Sequence, residues 1–497
     1  MNSRQSLKGA YLLVGAKGLA ASIGLISTLV LARLLHPEDY GLVVLVDAVV
    51  TLLAAMTELQ MASVLTHLPK VTDAHLCTAW TLNALRATAL AALVWASAPL
   101  LAWFYGKPEL ESIAWAMSLS VFLGSLQSPR MAMLARELNF KSEFILTLSQ
   151  KLVGFAVTLV AALYWRNYWA LVAGTVATQA CALVMSYWCA PFRPRITLVK
   201  LKDLWGYSMW LTASMFVKTL NARMDQFTVG KLFSTHTTGV YSLAGRLSSV
   251  LFTETLAAAL KVISPSLVPL QNQRTALAKA YLNSLALVCC LFLPMATIAS
   301  ALSEPVIAIA LGPKWNDVTD VFRVLVMVAC LESLGTVGLS VVLATLNTRL
   351  AFHRDLLSLC ARLLSMSAGY ALGGFTGLLW GRAACALVDC LLYFRIAGQV
   401  TGLSLSQQTL STWRTLTACV LTYATVAGGQ LSPLAVPPGG AMSSVLGLVA
   451  WGVAGLILHG AVQWLIWVFA GRPDGPERAI AHYLRALINR SSSGQSA

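Results

Sequence analysis

The sequence predicts an all-α integral membrane protein, and three observations carry that prediction. Hydrophobic residues fill 57% of the 497 positions and charged residues only 11%, where a soluble domain carries roughly 25% charged. Mean hydropathy is +0.71. Apolar runs of bilayer length recur along the whole chain. A chain this poor in charge cannot present a polar surface to water, whereas a helix in lipid satisfies its own backbone and needs only apolar side chains outside.

The runs that reach roughly 20 residues, enough to cross the hydrocarbon as a helix, fall near 10–34, 40–65, 78–102, 112–134, 144–164, 167–190, 206–231, 237–262, 279–301, 319–346, 355–374, 375–398, 412–433 and 442–469. About fourteen transmembrane helices are therefore expected. The first run follows Arg4 and Lys8, but it is too long for a signal peptide and ends in His36-Pro37-Glu38-Asp39 without a small-residue cleavage pattern. It is expected to remain as a helix. The eleventh and twelfth runs are divided only by Gly373-Gly374. Aromatic pairs such as Trp103-Phe104, Tyr164-Trp165 and Tyr187-Trp188 stand where helices should meet headgroups.

Loop charges set the orientation. Seventeen Lys and Arg residues, from Arg4 and Lys8 through Arg193 and Arg195 to Arg485 and Arg490, fall in one set of loops. Only Lys107, Arg166 and Lys314 fall in the other. By the positive-inside rule both termini are cytoplasmic, which requires an even number of spans.

The same distribution explains the net charge of +15 without nucleic acid, because no basic face lies on a soluble domain. The ten cysteines sit almost entirely inside apolar runs, with no CxxC pair and no histidine cluster. They read as helix-packing residues, not disulfides or metal ligands. No G-x-x-x-x-G-K-[ST] motif is present, no loop is long enough for a catalytic domain, and no cofactor, metal site or enzymatic activity is expected.

A short repeat organises the chain. Ala32-Arg33-Leu34-Leu35 followed by Gly41-Leu42 matches Gly230-Lys231-Leu232-Phe233 followed by Gly239-Val240, at the ends of the first and seventh spans. Six spans separate the copies, so both halves face the same way, as in a parallel duplication. The expected division is residues 1–198 and 199–400 as six-helix lobes, 401–470 as two additional helices, and 471–497 as a cytoplasmic tail, disordered at its end.

A charge at a helix centre costs roughly 2.5–3.5 kcal/mol in lipid, yet Lys17, Asp47, Glu58, Arg86, Lys151, Lys218, Arg223, Asp225, Arg246, Glu254, Arg323, Glu332, Arg362, Arg382 and Asp389 lie within the expected spans, and among these cations outnumber anions nine to six. They must face a hydrated cavity or one another. Helical spacing aligns Asp47, Thr51 and Glu58; Asn83 and Arg86; Lys218, Asn221 and Asp225; and Arg362 with Ser358 and Ser365. Arg223, Arg323 and Lys151 are expected near helix ends, reaching toward headgroups. The excess of cations suits phosphate, which arginine and lysine hold by charge-assisted hydrogen bonds. The candidate anion ligands are Lys17, Arg86, Lys218, Arg246 and Arg362. Asp47, Glu58, Asp225 and Glu254 are candidates for coupling to a proton or sodium gradient. Arg382 and Asp389, two turns apart, form a candidate ion pair.

Several stretches resemble bacterial polysaccharide flippases of the Wzx/WzxC type, within the multidrug/oligosaccharidyl-lipid/polysaccharide exporter superfamily. They are Leu31-Ala-Arg-Leu-Leu-His-Pro-Glu-Asp-Tyr-Gly-Leu42, Arg136-Glu-Leu-Asn-Phe-Lys141, Phe192-Arg-Pro194, Asp225-Gln226 with Val229-Gly-Lys-Leu232, Gly239-Val-Tyr-Ser-Leu-Ala244 and Gly312-Pro-Lys-Trp315. The chain departs from that pattern at Pro265-Ser-Leu-Val-Pro-Leu-Gln271, which lacks the arginine and the following acid usual there. The resemblance implies two six-helix lobes around a central cavity plus two further helices, in the bacterial inner membrane. It implies a polyprenyl-diphosphate-linked oligosaccharide as cargo, turned from the cytoplasmic to the periplasmic leaflet by alternating access for exopolysaccharide, capsule or O-antigen synthesis. Membrane lipids and other polysaccharide-assembly membrane proteins are the expected partners. The alternatives are a cation-coupled multidrug exporter or a peptidoglycan-precursor flippase of the same superfamily and, from another class, a membrane-embedded glycan polymerase.

Overall fold

The computed structural model describes residues 3–58, 61, 65, 71–136, 140–345, 348–430, 441–473 and 477–478. Among the described residues there are sixteen α-helices and no strand. In chain order they are α1 (Ser3–Leu34), α2 (Pro37–Thr57), α3 (Asp73–Tyr105), α4 (Glu109–Ser125), α5 (Met131–Arg136), α6 (Phe140–Trp165), α7 (Trp169–Cys189), α8 (Leu201–Leu232), α9 (Thr235–Leu267), α10 (Arg274–Ala301), α11 (Ser303–Ala310), α12 (Val318–Ala344), α13 (Thr348–Thr401), α14 (Leu405–Leu410), α15 (Trp413–Gln430) and α16 (Ala441–Phe469). Eight of these are long and apolar enough to cross a membrane: α2, α3, α6, α7, α10, α12, α13 and α16. The other expected spans, in α1, α4, α8, α9 and α15, are helical as well but are shorter, more polar or bent.

Local chemistry sets the helix ends. His36-Pro37-Glu38-Asp39 is the turn into α2, where proline tolerates the first helical position and the Asp39 carboxylate accepts from the His36 N–H at 3.0 Å. α3 stops at Gly106, whose φ of +67° lets the Lys107 N–H return to the Ala102 carbonyl at 3.0 Å. At the ends of α3, α6 and α7 the aromatics face outward: Trp103 is 78% exposed, Tyr164 83% and Trp188 68%. Such rings suit the boundary between hydrocarbon and headgroups. All ten cysteines are free thiols.

α13 is two helices. Gly373 and Gly374 leave the helical region, Gly374 at φ +57°, and the chain folds back so that both arms touch. A Cβ on Gly369 would meet the Gly377 carbonyl, one on Gly377 the Gly369 carbonyl, and one on Gly381 the Ser365 carbonyl. Small residues let the two backbones approach, which is how helices gain packing where lipid gives no hydrophobic drive between them. α6 and α7 meet the same way, with Gly154 against Thr178 and Gly174 against Thr158.

The chain forms two compact units, Met1–Leu243 and Ala244–Ala497. Within the first unit α8 and the start of α9 pack on α2. Its core joins Leu42–Val50 of α2, Leu90, Val94 and Ala98 of α3, Leu110–Met117 of α4 and Val172 of α7. The two copies of the short repeat touch within this unit. A Cβ on Gly41 would strike the Thr235 carbonyl, and one on Gly239 the Pro37 carbonyl. Each glycine thus covers the residue four before the other, a reciprocal contact that a local two-fold axis produces. In the second unit α10 is central: Phe292 packs edge-on against Phe252 of α9 at 5.4 Å, and Ile298, Ala301 and Leu302 meet Val426 of α15 and Trp451 of α16.

The hairpin in α13 gives a direct test. Gly377→Ala sets a methyl against a backbone carbonyl that cannot rotate away, and overpacking of this kind costs about 1–3 kcal/mol. The thermal midpoint of the detergent-solubilised protein should fall for Gly377→Ala and stay unchanged or rise for Gly452→Ala, where nothing lies within 4 Å.

Candidate functional site

Two of the sequence-derived candidates share a cavity in the first unit. Arg86 of α3 and Glu58, which caps α2, line a pocket of about 340 Å³ together with Asn83, Ser125, Gln127 and Ser128. The Arg86 Nη2 donates to Ser125 Oγ at 3.2 Å, while its Nε is buried without a hydrogen-bond partner. Asn83 and Arg86 face one cavity because they lie three residues apart on one helix. The pocket is small, mixes these polar groups with apolar ones such as Met61, Leu65 and Met131, and is built from the end of α2, from α3 and from the segment after α4.

The other carboxylates of this unit are engaged. Asp47 of α2 forms an ion pair with Arg223 of α8 at 3.2 Å, and Arg223 also reaches Thr51 Oγ1 at 3.4 Å and Gln226 Oε1 at 3.0 Å. Arg223 therefore joins two helices, where sequence reading expected it to reach toward headgroups. Asp225 is buried and accepts from the Tyr241 hydroxyl at 2.9 Å. Lys231, the cation of the second repeat copy, lies 4.1 Å from the centre of the Phe104 ring and donates to the Phe104 carbonyl. The stripe on α8 is not uniform. Asn221 and Asp225 are buried, whereas Lys218 is exposed and has no ion pair among the described residues. Lys17 lies on α1, and its side chain is outside the described residues, as is that of Glu254 on α9.

The second unit holds a charge network on α12 and both arms of α13, in which Glu332 is half-buried and the α13 members are buried. Glu332 Oε1 accepts from Arg382 Nη2 at 2.5 Å and from Arg362 Nη2 at 3.1 Å. Asp389 stands 3.7 Å from Arg362 and 3.6 Å from Arg354, and Arg354 pairs with Asp355 at 2.7 Å while covering the Tyr393 ring at 3.6 Å. Three arginines meet three carboxylates, so the cluster is neutral. Arg382 and Asp389 thus belong to one network, with Glu332 as the closest carboxylate of Arg382. Arg362, expected as an anion ligand, is 5% exposed and already bonded to carboxylates. Arg354 was missed because it stands beside the loop cations; its spacing from Ser358 and Arg362 (i, i+4, i+8) was the available signal. Arg323, expected to snorkel, pairs with Asp320 at 3.1 Å and donates to Ser303. Arg246 of α9 is exposed and makes no ion pair among the described residues.

Comparison with known proteins places this architecture. Lipopolysaccharide biosynthesis protein WzxC of Escherichia coli is 22% identical over 439 residues, 86% of this chain and 89% of that protein. Teichuronic acid biosynthesis protein TuaB of Bacillus subtilis is 23% identical over 341 residues, 67% and 70% of the two chains. Succinoglycan biosynthesis transport protein ExoT of Rhizobium meliloti is 24% identical over 290 residues, 58% of each. The fold resembles the lipid II flippase MurJ in an inward closed conformation, with a TM-score of 0.72 over 92% of this chain and all of that one at 13% identity. An inward-facing multidrug resistance MATE family transporter follows, with a TM-score of 0.59 over 78% of this chain and 96% of that one at 14% identity. The family model for polysaccharide biosynthesis proteins matches residues 30–320. With more than half its length matched by the family model, and with an all-α fold like that of MurJ, this chain belongs to the polysaccharide biosynthesis protein family.

Proposed function

We propose that the chain is a flippase that carries a polyprenyl-diphosphate-linked oligosaccharide from the cytoplasmic to the periplasmic leaflet of a bacterial inner membrane by alternating access. In this reading fourteen helices cross the membrane and both termini are cytoplasmic. The observation that carries it is the imbalance left after pairing. The intramembrane carboxylates Asp47, Asp225, Glu332 and Asp389 already hold arginines or a tyrosine. Lys218 and Arg246 stand exposed on α8 and α9, and Arg86 keeps a buried Nε without a partner. Cations that remain in apolar helices after the anions are satisfied favour an anionic cargo, and a diphosphate offers the oxygens they bind. The family and the names of the relatives, which speak of polysaccharide, lipopolysaccharide and succinoglycan biosynthesis, support a glycan as the rest of the cargo.

We assign Arg86, Lys218 and Arg246 to the diphosphate, with Lys17 joining them by its position on α1. Arg362 is assigned to the neutral cluster that fastens α12 to α13. Glu58, beside Arg86, is the carboxylate best placed to couple an ion to binding, since it alone of the described candidates shares a cavity with an anion ligand.

Two results separate these roles. Each charge-assisted hydrogen bond is worth about 1.5–3 kcal/mol, roughly 10-fold or more in affinity. In cells lacking the chromosomal copy, Arg86→Ala, Lys218→Ala and Arg246→Ala should each lower surface glycan at matched protein level, with lipid-linked units accumulating on the cytoplasmic leaflet. Normal glycan from all three would refute the assignment. Arg362→Met removes one member of a buried network, a change that costs about 3–5 kcal/mol when a charge is left uncompensated. Its thermal midpoint and yield should fall while glycan export per folded molecule stays near wild type; a fall in export at unchanged stability would instead restore Arg362 to the anion site.

A further inference from the structure

A basic cavity lies in the second unit, lined by none of the residues assigned above. Its volume is about 650 Å³, within the range of small-molecule sites. Three cations from two helices line it: Arg274 and Lys279 of α10 and Arg414 of α15, beside Asn283, Gln407 and Ser411. No carboxylate is among the lining residues. Lys279 makes no ion pair among the described residues, and Arg274 reaches only the Gln399 carbonyl, at 3.5 Å, with its guanidinium laid against Gly402. Arg414 is 7% exposed; Glu477 stands 3.4 Å from its Nη1, which is buried and makes no hydrogen bond. A buried arginine, two open cations and a set of hydroxyl and amide donors form a pocket built for an anion with several acceptor oxygens.

Its position says which anion. Arg274 opens α10, Thr401 closes α13 and Arg414 is the second residue of α15, so the cavity sits where three helices end. The six-residue helix α14 and the start of α15 form its rim and turn apolar side chains outward: Leu410 is 70% exposed, Trp413 44% and Leu416 46%. A short helix with outward leucines beside a tryptophan belongs at the level of the headgroups, where apolar chains enter hydrocarbon and the tryptophan N–H stays wet. An anion site at that depth meets lipid phosphate first, and basic pockets between transmembrane helices at the cytoplasmic face suit anionic headgroups.

We propose that this cavity binds the phosphate of an anionic glycerophospholipid, with Arg274, Lys279 and Arg414 as ligands and the acyl chains lying along α14 and α15. The site does not depend on what the chain transports. The polyprenyl diphosphate of the proposed cargo carries the same chemistry, so the test distinguishes the two.

The full-length protein, delipidated in detergent, is titrated with cardiolipin, phosphatidylglycerol, phosphatidylcholine, undecaprenyl diphosphate or inorganic phosphate and read by native mass spectrometry. Wild type should retain one molecule of cardiolipin or phosphatidylglycerol at concentrations where phosphatidylcholine leaves. The double variant Arg274→Ala/Lys279→Ala should lose it by 10-fold or more, while Arg472→Ala, at a cation outside the cavity, keeps it. Arg274 and Lys279 are both exposed, so the double variant should match the wild-type thermal midpoint without lipid; Lys279→Gln alone serves if it does not. Retention of undecaprenyl diphosphate alone, lost in the same variant, assigns the site to the cargo and overturns the resident-lipid proposal. Equal retention of anionic lipid by wild type and variant, or a response to inorganic phosphate only, overturns it too.

Discussion

A charge inside hydrocarbon must find a partner or water, and the rest of this structure follows from that constraint. The chain carries arginines, lysines and carboxylates in helices that are otherwise apolar, at a cost of roughly 2.5–3.5 kcal/mol each when exposed to lipid near the centre. In the second unit the answer is local neutrality. Arg354, Arg362 and Arg382 meet Glu332, Asp355 and Asp389, and one side chain of α12 thereby holds both arms of α13. In the first unit Asp47 and Arg223 fasten α2 to α8. The cations left over are the ones assigned above, as a proposal, to an anionic cargo.

Charge pairing needs helices at fixed distance and rotation, and glycine supplies both. Gly41 and Gly239 bring the ends of α2 and α9 into backbone contact, and Gly369, Gly377 and Gly381 do so within α13. A Cβ at any of these positions would strike a carbonyl, so register along the contact is set to within a residue. That precision keeps Arg362 and Arg382 on one carboxylate, since sliding one helix by a turn, about 5.4 Å, would leave a buried arginine without an acceptor.

Much of this was legible in the sequence. Apolar runs located the helices because length and hydropathy are one-dimensional quantities, and the turn at Gly373-Gly374 showed as two residues free of helical preference. The matched glycines of the repeat were visible, and the structure adds that they touch each other. Partnerships were not legible. Helical spacing tells which residues of one helix share a face, but not which distant helix that face meets. Spacing on α2 therefore does not reveal Arg223 as the partner of Asp47, spacing on α13 joins Arg382 to Asp389 while Glu332 of α12 stands closer, and Arg354 reads as a loop cation. The cavity of Arg274, Lys279 and Arg414 is not legible for the same reason: Arg274 and Lys279 read as cytoplasmic loop charge and Arg414 stands alone at the start of the thirteenth run, until the fold gathers them. Lys17 and Glu254 retain only their positions on α1 and α9.

The central claim is that this chain alone moves a lipid-linked glycan across a bilayer. Its most direct test is reconstitution of the purified protein into vesicles holding a polyprenyl-diphosphate-linked oligosaccharide in both leaflets, with an impermeant glycosidase added outside. Protein-free vesicles protect about half of the glycan, the share of the inner leaflet. The account predicts that vesicles carrying the protein let nearly all of it be cleaved while a soluble marker inside stays trapped. Protection that remains at one half, with the protein folded and inserted, would contradict it.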